Sequence, residues 1–168
     1  MKIIVLGITA VHHSLVVAYI YLGCYPDANH MVPDGYCDMI LDKRGYPVYI
    51  GDDQLGNQVY TLGLGRQMDI GYRAINSFLD IMGVSEDKLL IQKVVIPNEF
   101  WIWVASIVHV LPLGYVLNRW ISDRIINKHL KLLEDQANNL HECVQKKQDM
   151  KYDPPWKENE VWEAIQSI

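Results

Sequence analysis

The stretch from Met1 to Gly23, MKIIVLGITAVHHSLVVAYIYLG, restricts the fold more than any other. Lys2 to Leu6 is a run of β-branched and aliphatic residues, the pattern of a strand buried on both faces of a parallel sheet. Gly7 breaks the run. From Ser14 the sequence turns helical, with Ser14 placed as N-cap and Gly23 as the stop. A strand, a short loop and a helix N-terminus make a natural anion site, because the first helical N–H groups lack internal partners and carry partial positive charge. Thr9, His12, His13 and Ser14 add hydroxyl and imidazole groups at that mouth. The competing reading is a plain α/β turn with no ligand.

The same stretch carries no charge from Ile3 to Pro26, as a secretory signal or membrane span would. The adjacent His12 and His13 fall mid-segment and Gly7 to Ala10 interrupts the apolar run, so a buried strand and helix explain it better. The chain has 168 residues, half of them hydrophobic, which is room for one domain with a real core and an appendage. Its net charge of -5 comes with no basic block, which disfavours a nucleic-acid partner. Three cysteines, Cys24, Cys37 and Cys143, do not make a secreted disulfide framework, so a cytoplasmic location is expected.

Cys24 to Pro47 is dense in Pro, Gly, Asp and Asn and reads as loop, with one helical turn around Tyr36 to Leu41. His12, His13, Cys24, His30 and Cys37 are close in sequence, but no C-x2-C or H-x3-H spacing supports zinc, and no metal ligands are assigned. Val48 to Ile50 and Gln58 to Leu62 form a hairpin, turned by Gly56 and Asn57, with Asp52 and Asp53 read as solvated tip residues in preference to a cation site.

Gly63-Leu64-Gly65-Arg66 follows the second arm, and Met68 to Met82 reads as a helix with Ile70, Ala74, Ile75, Phe78 and Met82 on one face. If these strands are parallel in one sheet, both turns open on the same carboxyl edge. An anion would then meet Thr9 and Ser14 from one side, and Gly63, Gly65 and the Arg66 guanidinium from the other. Pairing of Arg66 with Asp69 is the bland alternative.

Lys88 to Ile96 is another strand. Phe100 to Asn118 then runs without charge, long enough to cross a bilayer and bearing Trp101, Trp103 and Tyr115 near its ends. His109, Pro112 and Gly114 favour a core helix followed by a turn over a membrane segment. Peripheral or single-span membrane contact stays open.

Together the opening strand, loop and helix ending VVAYIYLG, the hairpin IGDDQLGNQVYTLGLG, and the strand leading to a Trp-bearing segment resemble a bacterial family known mainly from Firmicutes, domain of unknown function 3189. The resemblance covers roughly residues 1 to 127 and rests most on Gly51, Asp53, Gly56, Asn57, Val59, Tyr60, Leu62 and Gly63, with His12 and Ser14 at the family's typical histidine and serine. It implies a fold and a candidate pocket, with no reaction attached. Where the family carries a cysteine and a pair of glycines, this chain has Gly7, Thr9 and Ala10. Cysteine-nucleophile chemistry, suggested by the family loop's likeness to that of small tyrosine phosphatases, therefore has no thiol to use.

The expected architecture is α/β, two or three layers, with about four mainly parallel strands over residues 1–127 and a helical extension over 128–168. In that extension Ile126, Leu130, Leu133, Ala137, Leu140 and Val144 form a heptad seam, buried either by coiled-coil pairing or by packing back onto the domain. A polar linker leads to WKENEVWEAIQSI, whose Val161, Trp162, Ile165 and Ile168 share a face. Two functions of different class stand. One is a protein, catalytic or not, that binds a small anion or phosphoester through Thr9, Ser14, Gly63, Gly65 and Arg66, with His12 or His13 as general acid or base. The other is a non-catalytic assembly or regulatory protein working through Phe100 to Leu117 and the C-terminal helices by self-association or a protein partner. No cofactor is identified.

Overall fold

A computed structural model of the chain describes residues 1–25, 33–85, 88–109 and 113–152. Its centre is β1 (Lys2–Gly7), which pairs in parallel with both β3 (Gln58–Gly63) and β4 (Leu89–Lys93). β2 (Val48–Asp52) joins β3 antiparallel, giving the order β2-β3-β1-β4 in one four-stranded sheet. This is the expected α/β sheet, mainly parallel with an antiparallel edge.

Because successive strand residues point to opposite faces, β1 splits its apolar run between two helical layers. Ile3 and Val5 face α1 (His13–Tyr21) and α6 (Leu130–Tyr152), in one cluster with Val16, Val17, Leu133 and Leu140. Leu6 and the partly buried Ile4 meet Met68, Tyr72 and Ile75 of α3 (Met68–Ile81) on the other face. The molecule is therefore three-layered. The stretch resembling a membrane span is its innermost strand and helix, and no helix among the described residues is long and apolar enough to cross a membrane.

The heptad seam packs back onto the sheet layer. Leu133, Ala137, Leu140 and Val144 are buried in the cluster that holds α1, and His141 lies against Tyr21 with ring centroids 4.3 Å apart. The face expected for α3 is corrected: Ile70 and Phe78 point to solvent, and Met68, Tyr72 and Ile75 cover the sheet. A helix lying on a twisted sheet needs only a narrow stripe, and Tyr72 supplied the apolar area that Phe78 was expected to give.

The helical turn expected over Tyr36 to Leu41 is α2 (Met39–Lys43), two to three residues later because Asp38 caps it by accepting from Ile40 N–H at 2.9 Å. At the β2–β3 turn, Gly56 alone has positive φ, +73°, and Asn57 does not share it. Asp53 organises that turn, accepting from the Leu55 and Asn57 amides at 2.9 and 2.8 Å and from the Tyr21 hydroxyl at 2.6 Å. The uncharged run from Phe100 divides into α4 (Glu99–Val108) and α5 (Gly114–Lys128). α4 buries Ile102 and Ala105, the core side of the expected core helix, while its other side stays outside. His30 and the WKENEVWEAIQSI segment lie outside the described residues.

Candidate functional site

The parallel register puts Gly7 beside Gly63 and Leu6 beside Lys93, so the three turns leave one edge of the sheet. They are zipped together there. Leu64 N–H donates to Gly7 O at 3.0 Å and Gly65 N–H to Ile8 O at 2.9 Å, while Val94 N–H donates to Leu6 O at 2.8 Å. The sequence-predicted Thr9, His12, His13, Ser14 and Gly63 are thus brought to one edge, together with the turn that bears Gly65 and Arg66. What they form is a filled arrangement.

Every residue from Ile8 to Ala18 is buried. α1 begins at His13, and Ser14 does not cap it: the Ser14 hydroxyl donates back to Thr9 O at 2.6 Å, pinning the loop across its own mouth. The Ala10 N–H, one of the amides an anion would need, donates to Asp42 Oδ1 at 2.6 Å. That carboxylate comes from α2 and lies flush on the backbone, since a Cβ built on Gly63 would stand 2.6 Å from Asp42 Oδ1 and 2.8 Å from Ala10 N. A carboxylate held by a loop amide is chemically an internal anion. Burial raises the Asp42 carboxyl above its ordinary value, against the lowering pull of the Ala10 amide.

His12 is fully buried. Its Nδ1 lies 2.6 Å from Thr9 Oγ1 and its Nε2 3.2 Å from Asn118 Oδ1 on α5. Asn118 Oδ1 can only accept, so Nε2 carries the proton and Nδ1 accepts from the Thr9 hydroxyl. The order hydroxyl, imidazole, orienting amide has the connectivity of a nucleophile, base and orienter. Its setting differs. Thr9 is 2% exposed and His12 0%, and burial, with neighbouring His13 adding to it, pushes His12 down to about 3 against the Asn118 bond. Such an imidazole stays neutral at pH 7 and is a weak base, so it has no imidazolium proton to give.

His13 is also fully buried. Among the described residues neither of its ring nitrogens has a hydrogen-bond partner, and Nε2 stands 4.0 Å from Glu99 Oε2. Burial holds this imidazole down to about 4, against a smaller upward pull from the Val94 backbone, and pushes Glu99 up. The His13 ring occupies room that a side chain at position 7 would need: a Cβ on Gly7 would fall 3.0 Å from His13 Nε2 and 2.9 Å from Ser14 Cβ.

Gly65 takes φ +62° with open space about its Cα. Arg66 does not pair with Asp69, which takes Lys93 at 2.8 Å. Its guanidinium stacks instead on α4, 5.4 Å from the Phe100 ring centroid and 5.0 Å from Trp103. Arg66 therefore ties the β3 turn to α4 by cation–π contacts, worth about 0.5–1 kcal/mol each at such exposure.

Asp42, Asn118 and Glu99 were not among the residues expected at this edge. Asn118 left a trace, as a lone amide ending a run without charges. Asp42 and Glu99 left none, because each reaches the loop from a separate element. Among the described residues no three His, Cys, Asp or Glu side chains gather as a metal cluster. Cys37 is buried and burial pushes its thiol up to about 12, while Cys24 and Cys143 are exposed and free.

The outer side of α4 and α5 contrasts with the closed edge. Trp101, Ile107, Tyr115, Val116 and Trp120 are all more than half exposed, and Leu113 is 83% exposed. Trp101 and Trp120 line one groove between the helices, with Arg124 stacked on Trp120 at 5.8 Å and Lys128 at its end.

The family model described as protein of unknown function (DUF3189) matches residues 2–142, reaching past the hairpin and α5 into α6. No curated protein and no solved structure matches the chain.

Proposed function

This chain belongs to the DUF3189 family, and we propose that it is a non-catalytic assembly protein whose working surface is the aromatic face of α4 and α5. One observation carries the reading: the aromatic and aliphatic side chains of that face are turned outward, whereas the strand-loop-helix edge is filled by the chain's own Asp42, His13 and Thr9–His12–Asn118 groups. Exposed apolar patches of this kind mark interaction sites, because leaving several large aromatics in water costs free energy that a partner relieves. Trp, Tyr and Arg are also the residues that most often anchor interfaces. The loop serves this surface as a support, since His12 holds α5 through Asn118 and Arg66 holds α4 through Phe100 and Trp103.

A small-anion site at the loop is the rival. A ligand at about a hundred times its dissociation constant adds about 2.7 kcal/mol of stability. Thermal melts with phosphate, sulfate, nucleotides and sugar phosphates are expected to show no such shift. A rise in melting midpoint with one anion class, abolished in Ser14→Ala, would overturn the proposal in favour of the loop. Flotation with neutral or anionic phospholipid vesicles would overturn it in favour of a membrane surface.

A further inference from the structure

We propose that the groove between Trp101 and Trp120 receives residues 156–168 of a second copy of this chain. This rests on the reading of the α4–α5 face as an interaction surface and names its occupant. The groove is apolar along Trp101, Trp120 and Ile125 and cationic at one end, where Arg124 and Lys128 are exposed. The segment WKENEVWEAIQSI is its complement: Val161, Trp162 and Ile165 recur at helical spacing, and Glu158, Glu160 and Glu163 supply the opposite charge. An amphipathic helix in an apolar groove anchors through such side chains, and complementary charge fixes its direction.

Reach argues for a second copy. α6 starts at Leu130, one residue beyond the groove's Lys128 and His129, and its 23 residues carry the chain away from the groove. At about 1.5 Å per helical residue, Tyr152 lies ~34 Å from that start. Bound as a helix from Trp156, the segment reaches Ile165 over an extended link of about four residues, ~14 Å, and about nine helical residues, ~14 Å, or ~28 Å from Tyr152 at most. The segment's own groove is therefore beyond its anchors, while a neighbouring copy's groove is not. Tail-to-groove contact is heterologous, so it propagates or closes into a ring.

Sedimentation of the full chain over a concentration series tests this with two variants, Trp120→Glu in the groove and Trp162→Glu in the segment. The wild type is expected to grow in mass with concentration, and each variant alone to remain a monomer. An equimolar mixture of the two variants is expected to form a one-to-one heterodimer, because one intact groove and one intact segment remain. Should Trp120→Glu fail to fold, Lys128→Glu, a surface reversal, is expected to weaken association about tenfold and Glu163→Lys to restore it. A wild type that stays monomeric throughout, association that survives either tryptophan variant, or a mixture that forms no heterodimer would each overturn the inference. A monomeric wild type whose α4–α5 face still captures a different protein would leave the assembly reading intact; a face that captures nothing would remove both.

Discussion

His12 and His13 set the acid side of this molecule's stability. Burial holds their imidazoles at about 3 and about 4, below the 6.5 that each regains on unfolding. Between those values the unfolded chain binds more protons than the folded one, so stability falls as pH falls below about 6.5. The slope reaches ~1.4 kcal/mol per pH unit for each histidine. Urea midpoints are expected to drop from pH 7 to pH 5, and less steeply in His13→Leu, which puts an apolar side chain in place of the buried ring; an unchanged slope would show that His13 does not titrate this way. Gly7 is the second residue with a sharp consequence. A Cβ there meets His13, Ser14 and the Thr9 carbonyl at 2.9 to 3.0 Å, and overfilling of this kind costs about 1–3 kcal/mol. Gly7→Cys is expected to lose that much in chemical denaturation, and His13→Ser in the same chain to recover part of it. The loop residues were legible in the sequence as a group. Their state was not, because Asp42 and Asn118 reach them from 32 and 106 residues away, and no local pattern encodes that.

Among the elements, β1, β3, β4 and α6 could be read from pattern, by alternation or unbroken apolar runs for strands and by steps of three and four for α6, and α1 from boundary signals such as Gly23. The two-way choice for the heptad seam was decided by α1, whose Val16 and Val17 meet the same cluster as Leu133 and Leu140. α6 is therefore core. Leu140→Ala is expected to cost about 2–5 kcal/mol, as a fully buried leucine does, against almost nothing for exposed Glu142→Ala; equal midpoints in urea would detach α6 from the fold. The stripe of α3 was misread because Ile70 and Phe78 carry apolar weight in the sequence that the sheet does not use. A similar excess on α4 and α5 made Phe100 to Asn118 look like a membrane span. Two helices with apolar inner and outer sides produce the same letters as one continuous span.

At the scale of the whole molecule, the sheet's carboxyl edge is where open α/β folds place ligands, and here the chain fills it with its own side chains. Fold therefore does not decide function, and among the described residues the outward face of α4 and α5 is a surface with large aromatic side chains left in water. The measurement that tests this most directly is photocrosslinking in cells from an unnatural residue at Val116 on that face, with Tyr49 on β2 as the control position. Both are exposed. The account predicts discrete protein adducts from position 116, mapped by mass spectrometry and scarce from position 49. Equal adducts from both positions, or adducts to lipid alone, would contradict it.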